Sequence, residues 1–118
     1  MRTSIFALAA TLLAATAQAA DRKLPSKFVG DWCSVNNSNE SAGATYRRGG
    51  RCPREGDTGW LTVSVNGFRG HEEDCRVLSV TPAPNGKYQA KFKCHGEGAT
   101  WTENYRMSLD NKGQLTMK

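Results

Sequence analysis

The residues best equipped for chemistry are His71-Glu72-Glu73-Asp74-Cys75. The pair His71-Glu72 matches the first half of H-E-x-x-H, where two histidines one helical turn apart hold zinc. Cys75 occupies the place of the second histidine, so the helical motif is incomplete. A second candidate is the basic loop carrying Arg47, Arg48, Arg51 and Arg54. Guanidinium forks suit carboxylates and phosphates, so this loop points to an acidic protein or an anionic envelope component. The competing reading is a solvated loop balanced by Glu55 and Asp57. The third candidate is Glu103, a carboxylate among apolar neighbours.

The elements that position these residues are strands. Leu61, Val63 and Val65 alternate with polar residues and lead into Asn66-Gly67, a strong hairpin signal. Phe68 begins the return strand, and Cys75 to Thr81 has the composition of a central strand. Tyr88, Ala90, Phe92 and Cys94 alternate with Lys87, Gln89, Lys91, Lys93 and His95. Trp101, Tyr105, Met107 and Leu109 share the next apolar face. Phe28 to Val35 and Ala44 to Arg48 read as earlier strands, and Leu115 and Met117 finish the chain. Outside the N-terminus no 3.6-residue apolar repeat is sustained. Strands every 8 to 12 residues with short turns predict an all-β fold. We expect a small antiparallel meander barrel or sandwich of seven to eight strands, closed by the first or last pair.

The turn at Pro84-Asn85-Gly86 predicts a register for its two flanking strands. Cys75 then opposes Cys94, Val77 opposes Phe92, Ser79 opposes Ala90 and Thr81 opposes Tyr88. The outer face brings Asp74 beside His95 and Glu72 beside Glu97. These four residues could form a cation site, since carboxylates placed opposite each other repel without a cation or proton. The plainer reading is a solvated strand end. Glu103 falls on the inner face, where a carboxylate is costly unless paired or protonated. It predicts an inward arginine, a bulge that turns it out, or a role in orienting a ligand. Glu103 acting with one of the HEEDC carboxylates is conceivable as catalysis, but no spacing fixes their separation.

The first residues have the form of a secretory signal peptide. Arg2 precedes an apolar run from Ile5 to Ala15, and Ala17-Gln18-Ala19 offers the small residues signal peptidase reads. The run is shorter than a membrane span requires, so no transmembrane segment is expected. The predicted organisation is a signal peptide at 1–19, a flexible arm at 20–27 and one β domain at 28–118. Export to the periplasm or the extracellular space follows. Four cysteines in an exported chain imply two disulfides, and sequence alone allows three connectivities. The predicted hairpin register favours Cys75–Cys94, which leaves Cys33–Cys52. Four cysteines without close pairs are poorly spaced for zinc.

The full chain has a formal charge of +5, falling to +4 without Arg2. A mild excess favours anionic surfaces but is no nucleic-acid signature. Trp32 is expected to plug one end of the barrel. Arg76, Lys91 and Lys93 form a basic stripe on its outside.

Gly30 and Trp32 look like the G-x-W near the first strand of lipocalin-like barrels, including bacterial metallopeptidase-inhibitor barrels. Other motifs are F-x-G-x-W-C at 28–33, Y-R-R at 46–48, N-G-F-R-x-H-E-x-x-C-R at 66–76, F-K-C-x-G-E-G at 92–98 and W-T-E at 101–103. Together they resemble a group of small exported alphaproteobacterial proteins. The resemblance spans most of the mature chain and implies no activity and no binding residues.

No phosphate loop, nucleophile set or repeated metal ligand marks an enzyme, and no cofactor is implied. The reading is a non-enzymatic exported binding module, with an inhibitor or an envelope-interaction protein as forms of it. The alternatives are a metal-binding protein using Glu72, Asp74, His95 and Glu97, and a small hydrolase.

Overall fold

The computed structural model describes residues 22–35, 43–50, 52 and 59–118. The expected signal peptide, Arg51 and Arg54 lie outside the described residues. The strands are β1 (Gly30–Ser34), β2 (Ala44–Arg48), β3 (Trp60–Ser64), β4 (Gly67–Gly70), β5 (Glu73–Ala83), β6 (Lys87–Gly96), β7 (Ala99–Leu109) and β8 (Leu115–Met117). They close into one antiparallel barrel in the order β1-β2-β8-β7-β6-β5-β4-β3. The all-β barrel and both disulfides agree with the sequence reading, and the bridges are Cys33–Cys52 and Cys75–Cys94.

Closure differs from a plain meander. β2 pairs with β8 and β1 pairs with β3, so the first hairpin is inserted with β1 towards β3. The described residues linking β2 to β3 are held along β1. The Gly49 amide donates to the Asp31 carbonyl, Cys52 is bridged to Cys33, and the Ser34 amide donates to the Gly59 carbonyl. The disulfide thus fixes a connection that must run back along a strand.

The first strand is shorter than expected, because Ser26–Phe28 form a 3-10 turn beneath the barrel. Phe28 is fully buried, as is Trp32, whose indole Nε1 donates to the Phe28 carbonyl at 2.9 Å. Leu24, which the sequence placed in a flexible arm, is buried, and its amide donates to the Val65 carbonyl. The arm's second half therefore belongs to the packed domain.

The hairpin at Asn66-Gly67 forms one residue early. Val65 and Asn66 make the turn, and Gly67 already pairs with Ser64. Glycine is required there by close approach: a Cβ on Gly67 would lie 1.9 Å from the Cys75 carbonyl oxygen, at a φ of +153°.

The predicted register of β5 and β6 holds from Asp74–His95 through Val77–Phe92 and then slips by one. A bulge at Leu78 puts Ser79 opposite Lys91 and Val80 opposite Ala90. Strict alternation would have pointed Ser79 inward and Val80 outward. The bulge reverses that, and burying a valine is worth about 1.5–3 kcal/mol. Val80 is buried as a result, while Leu78 stays exposed.

The core is aromatic at its centre. Phe68 lies edge-on to Phe92, with ring centroids 4.9 Å apart, and both meet Tyr105 at 5.9 Å. Such edge-to-face contacts add to area burial and fix ring orientation. The barrel end that carries Trp32 and Phe28 is therefore filled. The opposite end carries the β4–β5 and β6–β7 turns, and there the inward residues turn polar.

Candidate functional site

Five inward-facing side chains define the polar end: Tyr46 on β2, Glu73 at the start of β5, and Trp101, Glu103 and Tyr105 on β7. Their direction follows from strand alternation. Glu73 shares the face of buried Cys75 and Val77, and Glu103 shares that of buried Met107. All five are half-buried, and the three aromatic residues pack against the core.

Glu103 is anchored from both sides along its own strand. The Trp101 indole Nε1 donates to Oε1 at 2.8 Å, and the Tyr105 hydroxyl donates to Oε2. Neither an inward arginine nor an outward turn accommodates this carboxylate; two aromatic donors do. Glu73 stands differently. Among the described residues no hydrogen bond or ion pair holds its carboxylate. Burial raises its pKa above the ordinary value, and the neighbouring Glu103 charge raises it further.

The tyrosines are shifted the same way. Burial, with the Glu73 charge behind it, holds the Tyr46 hydroxyl above its usual range. For Tyr105, burial acts first, then the bond to Glu103 and the surrounding negative charge, and together they raise it strongly. Both phenols are therefore neutral donors at any physiological pH. The result is a barrel mouth with two carboxylates, one of them without a partner among the described residues, and three aromatic rings. Carboxylates attract a cation by charge, and ring faces attract it through their quadrupoles.

The two predicted pairs of the expected cation set form, Asp74 opposite His95 and Glu72 beside Glu97. Glu72 and Glu97 are neighbours, each with positive φ in adjacent turns. The Glu72 carboxyl, hydrogen-bonded to Glu97 and repelling its charge, holds Glu97 above the usual carboxylate range, with His71 acting against it. On its other side Asp74 lies 4.0 Å from Arg69, and the His95 Nδ1 lies 3.1 Å from the Thr100 hydroxyl. Among the described residues no group of three or more His, Cys, Asp or Glu is placed to hold a metal. Strand alternation and the Glu72 turn direct the carboxylates of HEEDC to different places. The member that enters the barrel is Glu73.

The basic loop is also divided. Arg47 and Arg48 are adjacent on β2 and so point to opposite faces. Arg48 stacks over Trp32 at 4.3 Å and donates to the carbonyls of Val29 at 2.9 Å and Lys27 at 2.7 Å. It clamps the 3-10 turn to the barrel floor and is unsuited to a partner. Arg47 remains exposed. Tyr46, Trp101 and Tyr105 were not singled out as site residues from sequence, and Glu73 was named only as one of the HEEDC carboxylates. The signal for Glu73 was present, since it has the parity of Cys75 and Val77.

Together, fold and site define a small disulfide-stapled antiparallel β-barrel, filled at one end and polar inside the other. Comparison with protein-family models, curated proteins and solved structures finds no match for the chain.

Proposed function

We propose that this protein is a non-enzymatic exported binding module that receives a cationic group, such as a lysine or arginine side chain or a small amine, in the barrel mouth. The observation that carries this reading is the half-buried Glu73 carboxylate, which has no partner among the described residues and lies near Glu103, Tyr46 and Tyr105. A half-buried charge without a partner is unfavourable, and a cation relieves it. The rigid, disulfide-stapled frame lowers the ordering cost of binding. Two disulfides are compatible with an oxidising, exported setting. Among the described residues no helix is long and apolar enough to cross a membrane.

The test uses Trp101 as the reporter, since its indole is bonded to Glu103. The oxidised protein is titrated with spermidine and with a lysine-rich peptide while tryptophan emission is followed. A saturable change is expected that disappears in Glu73→Gln and in Trp101→Phe. An absent response to both probes, or one unaltered in Glu73→Gln, refutes the reading.

A further inference from the structure

From Arg76 onward the outer face of β5 to β8 carries a field of cations, with Asp74 the acid at its mouth-side edge. Arg76, Lys91, Lys93, Arg106 and Lys118 are all exposed and point outward. Arg76 stands directly opposite Lys93, and Arg106 is paired through its backbone to Lys118. Asp74, two residues before Arg76, borders the field, and the other outward neighbours Thr81, Gln89, Thr102, Asn104, Ser108 and Thr116 are neutral. Among the described residues none of these five cations forms an ion pair. Like charges directly opposite on a sheet are destabilising, so this arrangement lowers the stability of the isolated barrel.

The acids have been placed elsewhere. Glu72, Glu73, Asp74, Glu97 and Glu103 all lie towards the end that holds the β4–β5 and β6–β7 turns. Charge is therefore segregated by position, with an acidic mouth and a basic flank.

One apolar side chain stands in this flank. The bulge in β5 expels Leu78, which is 38 % exposed, between Arg76 and the strand of Lys91 and Lys93. Beside it is a surface hollow of about 600 Å³ lined by Arg22, Asn66, Arg76, Val77 and Leu78. An exposed leucine beside Arg76, on the strand that faces Lys91 and Lys93, has two matching environments at a bilayer surface. The cations meet lipid phosphates, and the leucine enters the boundary beneath them. A free polyanion offers the first environment but not the second.

We propose that the flank formed by Arg76, Lys91, Lys93, Arg106 and Lys118 around Leu78 docks the protein on a bilayer of anionic phospholipid. The flank lies at the side of the barrel and the mouth at its end, so docking leaves the mouth open. This inference is independent of what the mouth binds.

The experiment is co-sedimentation of the oxidised protein with phosphatidylcholine vesicles, with and without phosphatidylglycerol. Binding is expected to the phosphatidylglycerol vesicles at low salt, with release at high salt and no binding to phosphatidylcholine alone. Each cation near an anionic surface contributes about fivefold in affinity, so Lys91→Gln with Lys93→Gln weakens binding about 25-fold. Leu78→Ala weakens it about tenfold. All three positions are exposed, and circular dichroism verifies that the variants fold. The proposal is overturned by no sedimentation with phosphatidylglycerol vesicles at low salt, or by unchanged binding of the lysine double variant. Unchanged binding of Leu78→Ala, or retention on a heparin column without vesicle binding, makes a polyanion the occupant and also overturns it.

Discussion

Replacing Glu73 with glutamine should stabilise the barrel at neutral pH and remove the stabilisation under acid. In the folded protein this carboxylate is half-buried, has no described partner and feels the Glu103 charge. A buried polar group left unpaired costs about 1–3 kcal/mol. Glu73 keeps part of its hydration, and solvent screening reduces the cost to about 1 kcal/mol. Glutamine keeps the shape and loses the charge. For a domain of this size the gain corresponds to a rise in Tm of about 4–8 °C. The pH dependence follows from the direction of the shift. Folding raises the Glu73 pKa, so the folded state holds this proton more tightly than the unfolded state. The contribution of the group to stability is complete below its ordinary value of 4.5 and is lost as pH rises through the higher folded value. The advantage of Glu73→Gln therefore opens as pH rises through that folded value and is absent below 4.5. The assay is thermal unfolding of both proteins, oxidised, across this range. A variant less stable than the parent at neutral pH, or a difference independent of pH, refutes the argument. The same substitution should abolish the response to cations, a trade of stability against function expected at a binding site.

Gly67→Ala should be severely destabilising, by about 4 kcal/mol or more, because its Cβ would overlap the Cys75 carbonyl oxygen. Urea unfolding measures this, and a loss under about 1 kcal/mol would contradict the close approach of β4 to β5. Mild reduction should open Cys33–Cys52 before Cys75–Cys94, because Cys52 is half-buried whereas Cys75 and Cys94 are both shielded from solvent. Timed alkylation read by peptide mass spectrometry gives the order, and the opposite order would refute it. Loss of Cys33–Cys52 should cost about 3 kcal/mol through the loop it closes.

Period-2 alternation in 87–95 and 99–109, with turn residues between, was sufficient to predict β6 and β7 and their inner faces. That is a local property, since each successive side chain on a strand points the other way. The same alternation, combined with the Pro84-Asn85-Gly86 turn, predicted the Cys75–Cys94 bridge. It went wrong beyond Val77, because the bulge at Leu78 depends on which of Ser79 and Val80 is better buried. The order in which β1 and β2 close the barrel was not legible either. It depends on a connection returning along β1, and the spacing of Cys33 and Cys52 leaves that path open.

The candidate site divides in the same way. Glu103 was recognisable as a carboxylate on an apolar face, and Glu73 had the parity to join it. The hairpin register had already put Glu72 beside Glu97 outside, but that Glu73 meets Glu103 was decided when the barrel curved β5 towards β7. The two arginines of β2 were legible as a charged pair, but the use of Arg48 as a clamp on Trp32 required the 3-10 turn beneath the floor. The sequence alone determined which faces are apolar, where the turns fall and that the cysteines are paired. Tertiary structure alone decided which distant carboxylates share a space, because closing a sheet brings together residues whose separation no local period encodes.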